Sequence, residues 1–195
     1  MNPVGFNENT PNRLVIDAGA VYMNVEFDEQ GFPTPDTGTN LGATAEANEL
    51  AIEIEWMEIP INGVKSRVRG LRQPSSINAQ LTTNLKEVTA DNLKKGMGAA
   101  DVESGTDFDK VEPRSVVKDE DYIDNIVLVA RYGAGGDYIV VVLDNALSGE
   151  GFTMSFEDDG QAVIPTVFQA HLDAADVGSN KVPFRIFTPN GTLAS

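Results

Sequence analysis

The sequence predicts an all-β fold with one short flanking α-helix. Three observations point there: short segments that alternate apolar and polar residues at period two, glycine-rich turns between them, and a single stretch with both helix-start and helix-stop signals. Short strands joined by such turns build a sandwich or a barrel. The 195 residues are expected to form one domain, residues 1–195, with 41% hydrophobic residues for its core.

In chain order, residues 1–12 read as a polar N-terminal arm. "RLVIDAGAVYMNVEF" (13–27) reads as strand, with Asp17-Ala18-Gly19 as a break. Residues 28–48 have the glycine, proline, threonine and aspartate content of a long loop. "LAIEIEWMEIPINGVKSRVRG" (50–70) reads as a hairpin folded on Asn62-Gly63, because both central residues of a type I′ turn take positive φ. Centring there pairs Ile61 with Val64, Met57 with Val68, Glu58 with Arg67 and Ile54 with Leu71.

That hairpin carries an anomaly of phase. Ile52, Ile54 and Trp56 place the apolar face on even positions, whereas Met57, Ile59 and Ile61 move it to odd ones. Side chains alternate faces along a strand, so the apolar surface changes sides near Trp56-Met57. Two readings follow: a β-bulge that re-aims the strand over its own core, or a tip that leaves the domain and docks on a neighbour.

Beyond the hairpin, "INAQLTTNLKEV" (77–88) alternates as a half-buried strand with an uncharged polar outer face up to Lys86. "TADNLKKGMG" predicts the helix, with Thr89 as N-cap, Asp91 in the first turn, lysines late and glycine after. Residues 98–121 are acidic and weakly patterned. Strands are expected over 122–132 and 137–147, joined by a turn at Gly133–Gly136. A hairpin over 151–173 turning at Asp158-Asp159-Gly160 and a last strand at 181–187 complete the series, ahead of a C-terminal arm at 188–195.

Composition limits function. A net charge of −16 argues against tracking a nucleic-acid backbone, which needs lysine and arginine to neutralise phosphates. It fits solubility, a surface that nucleic acid passes without sticking, or a high-salt habitat. No apolar run reaches the roughly 20 residues of a membrane helix, and the first residues lack the pattern of a signal peptide. With no cysteine there is neither disulfide nor thiolate chemistry.

No catalytic, cofactor or metal site emerges. "GAGGDY" lacks the glycine spacing and following helix of a dinucleotide fingerprint, and there is no Walker lysine. His171, the only histidine, has no cysteine or second histidine to join it on a metal. No serine stands in a nucleophile elbow. "DEDYIDN" (119–125) and "DAADVGSN" (173–180) lack the ligand order of an EF-hand. A carboxylate pair for glycoside hydrolysis is set in space, and nothing singles one out among 30 acids.

From about residue 13 to 187, the succession of segments resembles the phage tail tube (major tail) protein family. "LVIDAGAVYMNV", "LGATAEANELAIEIEWMEIPINGVKSRVRGLR" and "LTTNLKEVTADNLKKGMG" begin the series. "YIDNIVLVARY", "YIVVVLDNALSGEGFTMSF", "VIPTVFQAHLD" and "VPFRIF" continue it. The resemblance lies in this order of segments, not in a catalytic signature. It implies a β-sandwich or barrel with a long projecting hairpin loop, assembled in the host cytoplasm as hexameric rings stacked into the tail tube of a virion. It also implies partners: further copies of the chain, tape-measure, tail-end and terminator proteins, and phage DNA passing through the lumen without tight binding. No membrane insertion, cofactor or metal is implied.

The loop reaching the adjacent ring maps onto residues 57–70. Its interface candidates are Met57, Glu58, Ile59, Ile61, Asn62, Gly63, Val64, Lys65, Arg67, Val68 and Arg69. Lumen candidates are the polar faces of the inner strands: Glu53, Glu55, Asn78, Gln80, Thr82 and Asn84. A type VI secretion-like tube protein shares that architecture. A monomeric β-sandwich binding module and a carboxylate-pair hydrolase also stay open.

Overall fold

A computed structural model describes residues 10–15, 17–133, 136–151, 153–154 and 162–190. Among the described residues the chain is mostly β, in antiparallel sheets, with one α-helix. The strands are β1 (Ala20–Met23), β2 (Glu26–Phe27), β3 (Pro33–Thr34), β4 (Thr39–Asn40), β5 (Thr44–Glu58) and β6 (Arg72–Leu85). After α1 (Ala90–Met97) come β7 (Ala100–Ser104), β8 (Asp109–Pro113), β9 (Ile123–Tyr132), β10 (Asp137–Ser148), β11 (Ile164–Gln169) and β12 (Phe184–Phe187). The main sheet runs β4-β1-β9-β10-β11-β6-β5, with β12 also paired to β10.

β10 turns that path. Its body pairs with β9 and β12, while its last residues, Leu147 and Ser148, pair with β11. At Asn145 the chain takes φ 46°, a left-handed conformation that asparagine tolerates better than most residues. His171 holds this bend: its Nδ1 lies 3.1 Å from the Asn145 carbonyl, and its backbone N–H donates to the Asp144 carbonyl at 3.0 Å. The ring also meets Tyr122 edge-on at 5.3 Å. One apolar core gathers side chains from both stretches of the path: Val21, Ile126, Leu128 and Leu143 from one, Leu81, Leu85, Ile164 and Phe168 from the other.

The helix forms where the caps place it. Thr89 Oγ1 accepts the Asn92 N–H at 3.1 Å, and Gly98 ends the helix at φ 76°. Two turns are too short to be stable alone, so α1 docks on the sheet, where Ser148 Oγ donates to the Gly96 carbonyl at 2.9 Å. A Cβ on Gly98 would stand 2.8 Å from the Ser148 carbonyl oxygen. Gly98→Ala therefore combines a left-handed φ with a backbone clash, and is expected to cost about 1–3 kcal/mol. Thermal or urea unfolding checks this; an unchanged midpoint would contradict the cap geometry.

Several sequence expectations are corrected. Residues 28–48 are not one loop: they hold β3, β4, a 3-10 turn at Pro35–Thr37 and the start of β5, which begins at Thr44. The alternation there is hidden by a bulge, because the pairing jumps from Ala45/Asn84 to Glu49/Thr82, with Glu46 at φ 58°. Residues 98–121 contain the β7–β8 hairpin, unreadable as alternation because most of its side chains are exposed on both faces. Residues 151, 153 and 154 are not strand, and β11 pairs instead with β6 and the end of β10. The turn at Asp158–Gly160, Ala134 and Gly135 of the turn at Gly133–Gly136, and most of both terminal arms lie outside the described residues.

Candidate functional site

Beyond Ala79 and its partner Ile52, the β5–β6 hairpin projects with both faces wet. The two strands pair as Glu53–Asn78, Ile54–Ile77 and Glu55–Ser76, then Trp56–Pro74, Met57–Gln73 and Glu58–Arg72. The expected register was five to six positions different. Pro60 has no N–H to donate, and Gly70 sits at φ 91°, so neither arm continues as strand past Glu58 and Arg72. The loop is closed by the Ile59 N–H donating to the Leu71 carbonyl at 2.8 Å.

Inside this loop are two turns of one kind. Val64 N–H donates to the Ile61 carbonyl, and Leu71 N–H to the Val68 carbonyl, both at 3.2 Å. In each, glycine is third and alone takes positive φ: Gly63 at 88° and Gly70 at 91°. That is the pattern of type II turns, not of the type I′ turn that Asn62-Gly63 predicts. The Glu58–Arg67 pairing survives as a side-chain contact, with Arg67 Nε 2.8 Å from Glu58 Oε1. Both groups are exposed, so the pair contributes little to stability.

The bulge is present but on the opposite strand. Between Glu55–Ser76 and Trp56–Pro74, Ser75 is the extra residue, next to a proline that cannot donate to a ladder. It does not bury the tip. Met57, Ile59, Ile61, Val64 and Val68 remain between 40% and 52% exposed, and none belongs to a core cluster. Of the 21 large apolar side chains exposed among the described residues, eight fall within residues 52–68. Scattered exposed apolar residues need no explanation, but a contiguous group does.

The tip forms an open cleft of about 560 Å³ lined by Ile59, Ile61, Val64, Val68 and Leu71 together with Glu58, Lys65, Arg67, Arg69 and Arg72. Residues 57–72 carry four of the chain's 14 lysines and arginines but only one of its 30 acids. Arg72, outside the sequence-derived set, stacks its guanidinium 4.4 Å from the Trp56 ring at the neck of the hairpin.

The six polar residues assigned to the inner strands lie on one face of the β5–β6–β11 sheet. Glu53 is opposite Asn78 and Glu55 opposite Ser76, while Gln80, Thr82 and Asn84 follow at every second position of β6. Glu49 opposite Thr82 and Gln169 opposite Gln80 belong to the same face. Glu49 keeps the alternation of Glu53 and Glu55, whereas Gln169 joins the face only through the β11 pairing. β5 ends the sheet, and no strand pairs with its outer edge among the described residues.

Elsewhere, a cleft of about 630 Å³ beside His171 is lined by Asp124, Asp144, Asp173 and Asp176. Its acids are partly neutralised: Asp144 is 2.6 Å from Arg185 Nη2, and Asp176 is 2.7 Å from Lys181 Nζ. Among the described residues no group of three or more histidine, aspartate or glutamate side chains is arranged to hold a metal ion. No helix is long and apolar enough to cross a membrane among them. No protein-family model and no curated protein matches this chain.

Proposed function

We propose that this chain is a structural protein of the tail-tube type, a β-sandwich that stacks as hexameric rings into a tube through which DNA leaves a virion. The observation that carries the reading is the projecting hairpin. Eight large apolar side chains stand exposed within residues 52–68, on a loop whose basic rim contrasts with the acidic remainder of the chain. Each such side chain is worth about 1.5–3 kcal/mol when fully buried. A surface of this kind is costly in a monomer and stabilising in an assembly.

Two further observations support it. The fifteen-residue edge strand β5 presents unpaired backbone groups, which invite pairing with another chain. The face bearing Glu49, Glu53 and Glu55 beside Asn78, Gln80 and Thr82 is polar and acidic, as a lumen that DNA must traverse requires. With charges screened over about 8 Å at physiological salt, such a lining prevents adhesion at close approach. On this reading the chain acts in the virion after assembly in the host cytoplasm, beside tape-measure, tail-end and terminator proteins.

The mass of the assembling unit tests the reading: six times the 20.9 kDa chain is expected. A species that stays monomeric at every concentration and salt would overturn it. Binding to DNA is expected to be negligible at physiological salt, given −16 on every subunit. Tight, salt-sensitive retention of DNA would instead place the Lys65, Arg67, Arg69 and Arg72 rim on nucleic acid.

A further inference from the structure

The most exposed large apolar side chain among the described residues is not in the hairpin tip. Phe108, 88% exposed, stands at the turn of the β7–β8 arm, where the Gly105 N–H donates to the Phe108 carbonyl at 3.0 Å. A ring so exposed contributes almost nothing to its own chain's core. The arm around it is acidic: Glu103, Asp107, Asp109 and Glu112 against Lys110. Lys110 is already engaged, 2.5 Å from Glu112 and 3.7 Å from Glu103. The hydrogen bond with Glu112 and the charge of Glu103 hold its ammonium above the ordinary range. Asp107 and Asp109 flank the ring and make no ion pair among the described residues.

The hairpin tip is the complement of this arm. Its cleft is lined by the apolar Ile59, Ile61, Val64 and Val68 together with the basic Lys65, Arg67, Arg69 and Arg72, with Glu58 as the one acid, paired to Arg67. Lys65 and Arg69 make no ion pair among the described residues. We propose that Phe108 of one copy seats in the tip cleft of a second copy, with Asp107 and Asp109 facing Lys65 and Arg69. The inference rests on the assembly reading above and names the surface that receives the tip.

Two different patches on one chain that complement each other make a head-to-tail contact, which propagates into rings or open stacks instead of stopping at a dimer. An aromatic ring seated among apolar side chains with charges beside them is the arrangement of an interface hot spot. The charges add orientation and reject wrong pairings.

Charge exchange tests it. Lys65→Glu with Arg69→Glu should raise the concentration for half-assembly by about tenfold or more. Asp107→Lys with Asp109→Lys should do the same, and the four-site variant should recover most of the loss. Phe108→Ala should weaken assembly by a similar factor at an unchanged melting temperature, since the residue is 88% exposed in its own chain. If wild-type chain assembles but Phe108→Ala assembles equally well, or the four-site variant stays defective, the Phe108 contact is wrong and the assembly reading stands. If the wild-type chain never assembles, both fall.

Discussion

Ile59→Asp combined with Ile61→Asp is expected to abolish tube formation while leaving the monomer folded. Both side chains are on the projecting loop, 40% and 50% exposed, and outside the core clusters. In the free chain a carboxylate at either position stays hydrated, so the melting temperature should shift little. In an assembly that covers the tip, two charges must be desolvated in every contact. That costs several kcal/mol per contact, repeated at each subunit. Melting of the isolated chain beside imaging of the assembly separates the effects. A folded monomer that assembles normally would remove the tip from the interface, and an unfolded one would return it to the chain's own core.

The largest expected loss of monomer stability lies elsewhere, at Arg114. Its Nη2 is 2.6 Å from Asp121 Oδ1, and the Asp121 side chain is fully buried. Arg114 Nε is 2.9 Å from Asp101, and Nη1 donates to the Val116 carbonyl at 2.9 Å. Asp121 Oδ2 in turn accepts the Lys118 N–H at 2.8 Å. The guanidinium thus ties the base of the β7–β8 arm to the turn that feeds β9. Arg114→Met leaves a buried carboxylate without its counter-charge, and a loss of about 3–5 kcal/mol is expected. Adding Asp121→Asn removes the stranded charge, so the double variant should lose less than the sum of the single ones. Denaturant unfolding of all four proteins checks this. Strict additivity would mean that Arg114 and Asp121 act independently and not as a pair.

Much of the fold was written locally. The α1 caps, the long strands β9 and β10 and the break at Asp17–Gly19 all followed from short-range signals. Asp17 Oδ1 indeed accepts the Gly19 N–H at 3.1 Å. What failed was pairing that depends on residues remote in sequence. The start of β5 was hidden by the bulge around Glu46–Asn48, where Asn48 reaches back to the Ala18 carbonyl. β7 and β8 were hidden because strands with both faces in water need no alternation. The hairpin register differs from the one Asn-Gly predicts because Asn62-Gly63 does not form a two-residue connection between the strands. Pro60 and Gly70 instead open the tip into a wider loop with two separate turns.

The candidate site was legible in outline. The change of phase at Trp56–Met57 marked the apolar tip, and the structure leaves that tip exposed. The sequence could not show the cleft that the loop forms, because its shape follows from the two glycine turns. Nor could it show that Asp107, Phe108 and Asp109 stand together at the end of an arm. The polar face of the inner strands is readable on β6 but incomplete, since Gln169 joins it only through the pairing of β11 with β6.

A chain of this kind should stack on copies of itself, and negative-stain imaging of the purified full chain across a wide range of concentration tests this. Rings of six subunits are expected at low concentration, stacking into tubes of uniform diameter as concentration rises. Dispersed single chains throughout, with no rings at any concentration or ionic strength, would contradict it.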